Sequence, residues 1–110
     1  MQYYIMIVTF EKDYLRDLYT EGRTRDKKHR FQPDIIRRYQ KGVRYLMDAS
    51  SVEALYRVHS LNYEVLSGDK EGISSIRVND QYRIEFVVSE TADEPIVTIC
   101  NVINLSNHYK

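Results

Sequence analysis

The stretch GISSIRVNDQYRIEF, residues 72–86, constrains the fold more than any other part of the chain. Its two halves alternate apolar and polar side chains with the period that a strand requires, and Asn79, Asp80 and Gln81 between them form a turn. Ile76 and Val78 share one face of the first strand, and Ile84, Phe86 and Val88 share one face of the second, so these sets must meet on the core side. A three-residue loop achieves this by setting Ile76 opposite Ile84, whereas a two-residue loop sets Ile76 against Arg83. The register therefore places Arg77 opposite Arg83 on the other, uncovered face of the sheet. Like charges directly opposed across strands are unfavourable, within the roughly 0.2–1 kcal/mol scale of cross-strand pair effects, and two readings are open. In one, Glu85, diagonal to Arg77, completes an exposed Arg/Glu/Arg ladder of little energetic consequence. In the other, the two guanidinium groups form an anion site, because they stay charged and grip phosphate bidentately.

The rest of the chain supplies the elements that cover such a hairpin. Met1 to Phe10 reads as a strand or extended entry, and Phe10, Tyr14, Leu15 and Leu18 then fall at helical spacing until Gly22. Pro33 suits a first helical position, and Ile35, Ile36, Tyr39, Val43, Leu46 and Met47 form one apolar stripe after it. SSVEALYRV predicts a short helix or irregular return, followed by strands at about 61–66, 73–79, 82–88 and 96–104. With 110 residues there is room for one domain and one core. Helices followed by strands predict an α+β domain whose two N-terminal helices pack on one face of a small antiparallel, twisted sheet.

Charge is balanced overall but not along the chain. Residues 20–44 carry nine Lys and Arg against three Asp and Glu, while residues 45–110 carry five against ten. Within the basic block, Arg37, Arg38, Lys41 and Arg44 lie on the helix face opposite the apolar stripe, as a solvated face or as a surface that meets phosphates or an acidic partner. Ten tyrosines with no tryptophan imply hydroxyls at the core edge or on a contact surface. Cys100, the single cysteine, lies in the apolar run IVTICNVI and reads as a small buried hydrophobe rather than a catalytic thiol. The opening YYIMIVTF has no basic leader and is far shorter than the roughly 20 residues of a membrane span. A cytoplasmic protein is expected.

The run LNYEVLSGDKEGISSIRVNDQYRIEF resembles the hallmark segment of the RelE/ParE toxin superfamily, closest to its HigB branch of plasmid-maintenance killer proteins. The amino-terminal helices, the DKKHRFQPDIIRRY segment and the closing LSNHYK keep the same order, so the resemblance covers nearly the whole chain. It implies the toxin of a type II toxin-antitoxin pair that cleaves translated messenger RNA on the ribosome without metal or other cofactor. The implied partners are a helix-turn-helix HigA-type antitoxin, the ribosome and its message, with DNA met only through the antitoxin complex and no membrane. Arg77 and Arg83 fall on the two arginines of the family pattern, where Tyr82 replaces a tryptophan, and would hold the scissile phosphate. Glu64 stands where the family has a histidine, Ser67 where a lysine is frequent, and Asn107, His108 and Tyr109 are the nearest match to a terminal acid-aromatic-histidine cluster. The implied catalytic set is Arg77, Arg83, His108, Tyr109 and Glu64, with His108 or Glu64 as base or acid and Tyr109 stacking or orienting. RNA contacts are expected from Arg37, Arg38, Lys41, Arg44, Lys70 and Lys110, while His29 and His59 read as surface residues. A ParE-like inhibitor of DNA gyrase and a catalytically degenerate toxin kept for its antitoxin contact remain alternatives.

Overall fold

The structure, a computed structural model, describes residues 4–107. The chain runs as strand β1 (Tyr4–Phe10), helices α1 (Asp13–Thr20), α2 (Pro33–Asp48) and α3 (Val52–Leu55), then strands β2 (Glu64–Val65), β3 (Ser74–Arg77), β4 (Tyr82–Glu90) and β5 (Ile96–Asn107). The five strands form one sheet in the order β1-β5-β4-β3-β2. β2 to β5 are an antiparallel meander, but β1 pairs parallel with β5, from Tyr4 opposite Ile96 to Phe10 opposite Val102. The sheet is thus mixed, not antiparallel throughout. The reason is the long excursion after β1: two helices cross the sheet before the meander begins, which is the kind of connection a parallel pair needs.

The expected packing of helices on one sheet face holds. Pro33 opens α2 with its fixed φ and missing N–H, at the position where neither costs anything. Ile35, Tyr39, Val43 and Leu46 of α2 and Tyr14, Leu15 and Leu18 of α1 are buried against Ile76, Ile84, Phe86, Cys100 and Val102. Gly42 sits at the contact, where an added Cβ would lie 2.7 Å from Ile84 Cδ1, so the absent side chain is what lets α2 approach β4. Phe10 belongs to β1 rather than to the first helix, and the expected strand at 61–66 shrinks to Glu64–Val65.

The tyrosines take the first of their two expected uses in the core. Tyr39 donates to Leu15 O at 2.7 Å, Tyr63 shares a 3.0 Å bond with Ser74 Oγ, and burial pushes both phenols above their ordinary pKa.

A bulge in β5 decides which of its side chains reach each face of the sheet. Glu85 is opposite Asn104 while Phe86 is opposite Val102, so Ile103 is the extra residue. The bulge reverses side-chain parity along β5. Val102 and Leu105, three apart, can then both be buried with the helices, and Asn104 and Ser106 pair with Glu85 and Arg83.

Candidate functional site

Strand register assembles the site in two rows on the sheet face away from the helices. One row runs Glu64–Ser75–Glu85–Asn104 across β2, β3, β4 and β5, and the next runs Arg77–Arg83–Ser106. The pairing of Arg77 with Arg83 is as the alternation of the hairpin requires. The face is not uncovered, however. Leu66 and Lys70, from the segment between β2 and β3, line a cleft of about 210 Å³ together with Glu64, Ser75, Arg83, Glu85, Ser106 and Asn107.

Glu85 is accordingly not part of an exposed ladder. Its side chain is 6% exposed, and Lys70 Nζ, from the covering 3₁₀ turn Gly68–Lys70, donates to it at 2.6 Å. Asn104 Nδ2 donates to its other oxygen at 3.3 Å. A carboxylate removed from water needs such partners, and the ladder reading fails because these partners come from a turn and from the bulged strand.

The two arginines also find separate anchors. Arg77 forms an ion pair with Asp80 in the turn. Arg83 Nη1 donates to Asn79 O at 2.6 Å and to Tyr82 O at 3.0 Å, while its Nε and Nη2 carry no partner among the described residues. Carbonyl acceptors fix the guanidinium without neutralising it, so Arg83 keeps its full charge and a free fork at the cleft. Glu64 accepts from Asn62 Nδ2 at 3.1 Å on the rim.

Arg77 does not line this cleft. It lines a groove of about 410 Å³ on the other side of the hairpin tip, with Arg37, Arg38 and Lys41 of α2. Asp34 holds Arg38 at 3.1 Å and Arg37 at 3.3 Å, whereas Lys41 has no ion-pair partner among the described residues. Arg44 is exposed on the same helix but does not line the groove. The structure therefore brings Glu64, Lys70 and Arg83 together, groups Arg77 with Arg37, Arg38 and Lys41, and leaves Arg44 apart. His108, Tyr109 and Lys110 lie outside the described residues, directly after Asn107 at the cleft.

The two histidines expected at the surface differ. His59 is exposed, but His29 is half-buried, its ring stacked on Tyr14 at 3.6 Å and its Nδ1 2.9 Å from Asp26. That hydrogen bond holds the Asp26 carboxyl below its ordinary pKa. Cys100 is fully buried, and burial pushes its thiol up to about 11.

A family model described as the RelE-like toxin of type II toxin-antitoxin system HigB matches residues 8–98. The chain belongs to the HigB-like toxin family. A curated relative, Toxin HigB-1 of Vibrio cholerae serotype O1, is 34% identical over 82 residues, which cover 74% of this chain and 82% of the relative. The fold of this HigB-like toxin is similar to that of a YoeB/ParE toxin from Agrobacterium tumefaciens, with a TM-score of 0.55 at 18% identity over 94% of this chain and all of that one. Membership in a type II system implies an antitoxin partner. No helix among the described residues of the toxin is long and apolar enough to cross a membrane.

Sequence reasoning passes over Ser75, Asn104 and Ser106 and gives Glu85 the wrong surroundings, while Asn107, noted in the terminal cluster, does line the cleft. Parity is a usable signal for Ser75 and Glu85, which alternate in step with Arg77 and Arg83. Nothing local announces the bulge at Ile103.

Proposed function

We propose that the toxin cleaves messenger RNA on the translating ribosome, using the cleft around Arg83. The observation that carries this reading is a positive fork, Arg83, anchored by backbone carbonyls beside Lys70 and Glu64. In the proposed reaction the 2'-hydroxyl oxygen attacks the adjacent phosphorus as a base takes its proton. The bond to the 5'-oxygen breaks, and an acid protonates that leaving oxygen, giving a 2',3'-cyclic phosphate and a 5'-hydroxyl. His108, next after Asn107 at the cleft, is assigned the base or acid role with Glu64 as the second proton carrier, and Tyr109 orients the substrate. Arg83 and Lys70 bind the phosphate, and Arg83 takes up the charge that grows on the phosphorane.

Arg77 acts one step away, at the hairpin tip, where it leads into the groove of Arg37, Arg38 and Lys41 that supports ribosomal or message phosphates; Arg44 and Lys110 add charge at longer range. The antitoxin is assigned to the helix-turn-helix HigA type, and the protein acts in the cytoplasm. Primer extension on translated messages after expression without antitoxin tests the reading. New 5' ends inside reading frames are expected, and they should disappear with His108→Ala. Intact messages accompanied by gyrase-linked DNA breaks would overturn it.

A further inference from the structure

A second groove, of about 760 Å³, opens beside the hairpin tip and shares only Asp34 with the α2 groove at their border. Its walls are Arg30, Phe31 and Gln32 ahead of α2 and Gln81 and Tyr82 at the end of the turn. Phe31 and Tyr82 meet edge to face, with ring centroids 5.5 Å apart and planes at 81°. Both rings are only half-buried, and the Tyr82 hydroxyl has no hydrogen-bond partner among the described residues, unlike those of Tyr39 and Tyr63 in the core. Arg30 is exposed and also unpartnered among the described residues. The loop that presents it is held in place, because His29 stacks on Tyr14 and binds Asp26.

We infer that this groove is a nucleobase-binding subsite, in which a base stacks on the Phe31–Tyr82 pair while Arg30 meets its phosphate. The inference rests on the proposed cleavage site and deepens it. Three features select RNA as the occupant over an apolar protein segment. An aromatic platform with an unneutralised guanidinium beside it is the pairing that single-stranded nucleic acid uses, since every base has a face to stack and every nucleotide a charge. The rim is polar, with the Gln32 and Gln81 amides able to meet base edges. The groove and the phosphate cleft share no lining residue, but consecutive residues of β4 belong one to each. Tyr82 and Arg83 are consecutive, about 3.8 Å apart at Cα, their side chains leave β4 on opposite faces, and Arg83 is tied to the Tyr82 carbonyl. A message crossing the end of the sheet would leave one phosphate on Arg83 and place a neighbouring base against Tyr82.

The test uses the full chain and a 2'-O-methyl RNA pentamer, which cannot be cleaved, with NMR detection of the Phe31 and Tyr82 ring protons and of the Lys70 and Arg83 amides. Ring protons should move upfield on binding. A pentamer with an abasic site at the stacked position should bind about 5- to 100-fold more weakly, the scale of one base–aromatic stack. Tyr82→Leu should weaken the intact pentamer to a similar extent, with the salt dependence of binding unchanged because no phosphate contact is lost. Shifts confined to Lys70 and Arg83 would overturn the subsite and leave the cleavage reading standing. No shift anywhere would overturn both. Ring shifts produced by the antitoxin and not by RNA would overturn the inference in favour of a protein contact.

Discussion

Glu85 and Lys70 differ sharply in exposure, 6% against 49%, and that difference predicts an unequal response to losing either partner. Replacing Lys70 by Met leaves a carboxylate out of water with Asn104 Nδ2 as its remaining donor at 3.3 Å. Breaking a buried pair in this way costs about 3–5 kcal/mol when both ends are buried, and the half-exposed lysine end lets water reach the site, so about 2–3 kcal/mol is expected. Replacing Glu85 by Gln removes the charge that needed compensation, leaves an ammonium already half in water, and keeps an oxygen to accept from it. A change within about 1 kcal/mol is expected there. The double variant should lie close to Glu85→Gln alone, so the cycle should show a coupling about equal to the Lys70→Met cost, about 2–3 kcal/mol. Urea unfolding of the four proteins provides the measurement, read from midpoints at constant slope. Equal costs for the two single changes, or strict additivity in the double, would refute the argument that burial of Glu85 is what gives the pair its importance.

Arg83→Ala should lower message cleavage about 100-fold or more through loss of charge stabilisation, and loss of its bonds to Asn79 O and Tyr82 O should cost a further 1–2 kcal/mol or so in thermal unfolding. Arg83→Lys should recover charge but not the fork, and cleavage only in part. Lys41→Gln should flatten the salt dependence of ribosome association by about one phosphate contact, whereas Arg44→Gln, outside the groove, should flatten it by less. Cys100 should resist thiol reagents at pH 8 until the protein is unfolded. Because folding raises its pKa from 9.0 to about 11, the stability it contributes is complete below pH 9 and lost as pH rises towards 11, as pH-dependent unfolding should show.

What the sequence by itself determined are the features whose causes are local. Alternation in GISSIRVNDQYRIEF leaves a single register that buries Ile76, Ile84 and Phe86 together, and Arg77 opposite Arg83 is its direct result. The period of the stripe from Ile35 to Met47 settles which face of α2 is buried, and Pro33 settles where it starts. The resemblance of the SGDKEG and SIRVNDQYRI segments to HigB-like toxins was legible for the same reason, since short motifs need no tertiary context.

The tertiary structure alone decided what surrounds the arginines. Whether Glu85 stands in solvent or in a cleft depends on where the Gly68–Lys70 turn folds, and that turn is placed by pairing of β2 with β3 rather than by its own sequence. Which arginine faces the cleft and which the α2 groove depends on how a helix approaches a strand more than 30 residues away, an approach permitted by Gly42 against Ile84. The bulge at Ile103 and the parallel seating of β1 beside β5 join distant parts of the chain, and neither leaves a mark in a local pattern because each is selected by the burial of Val102 and Leu105 in the finished core.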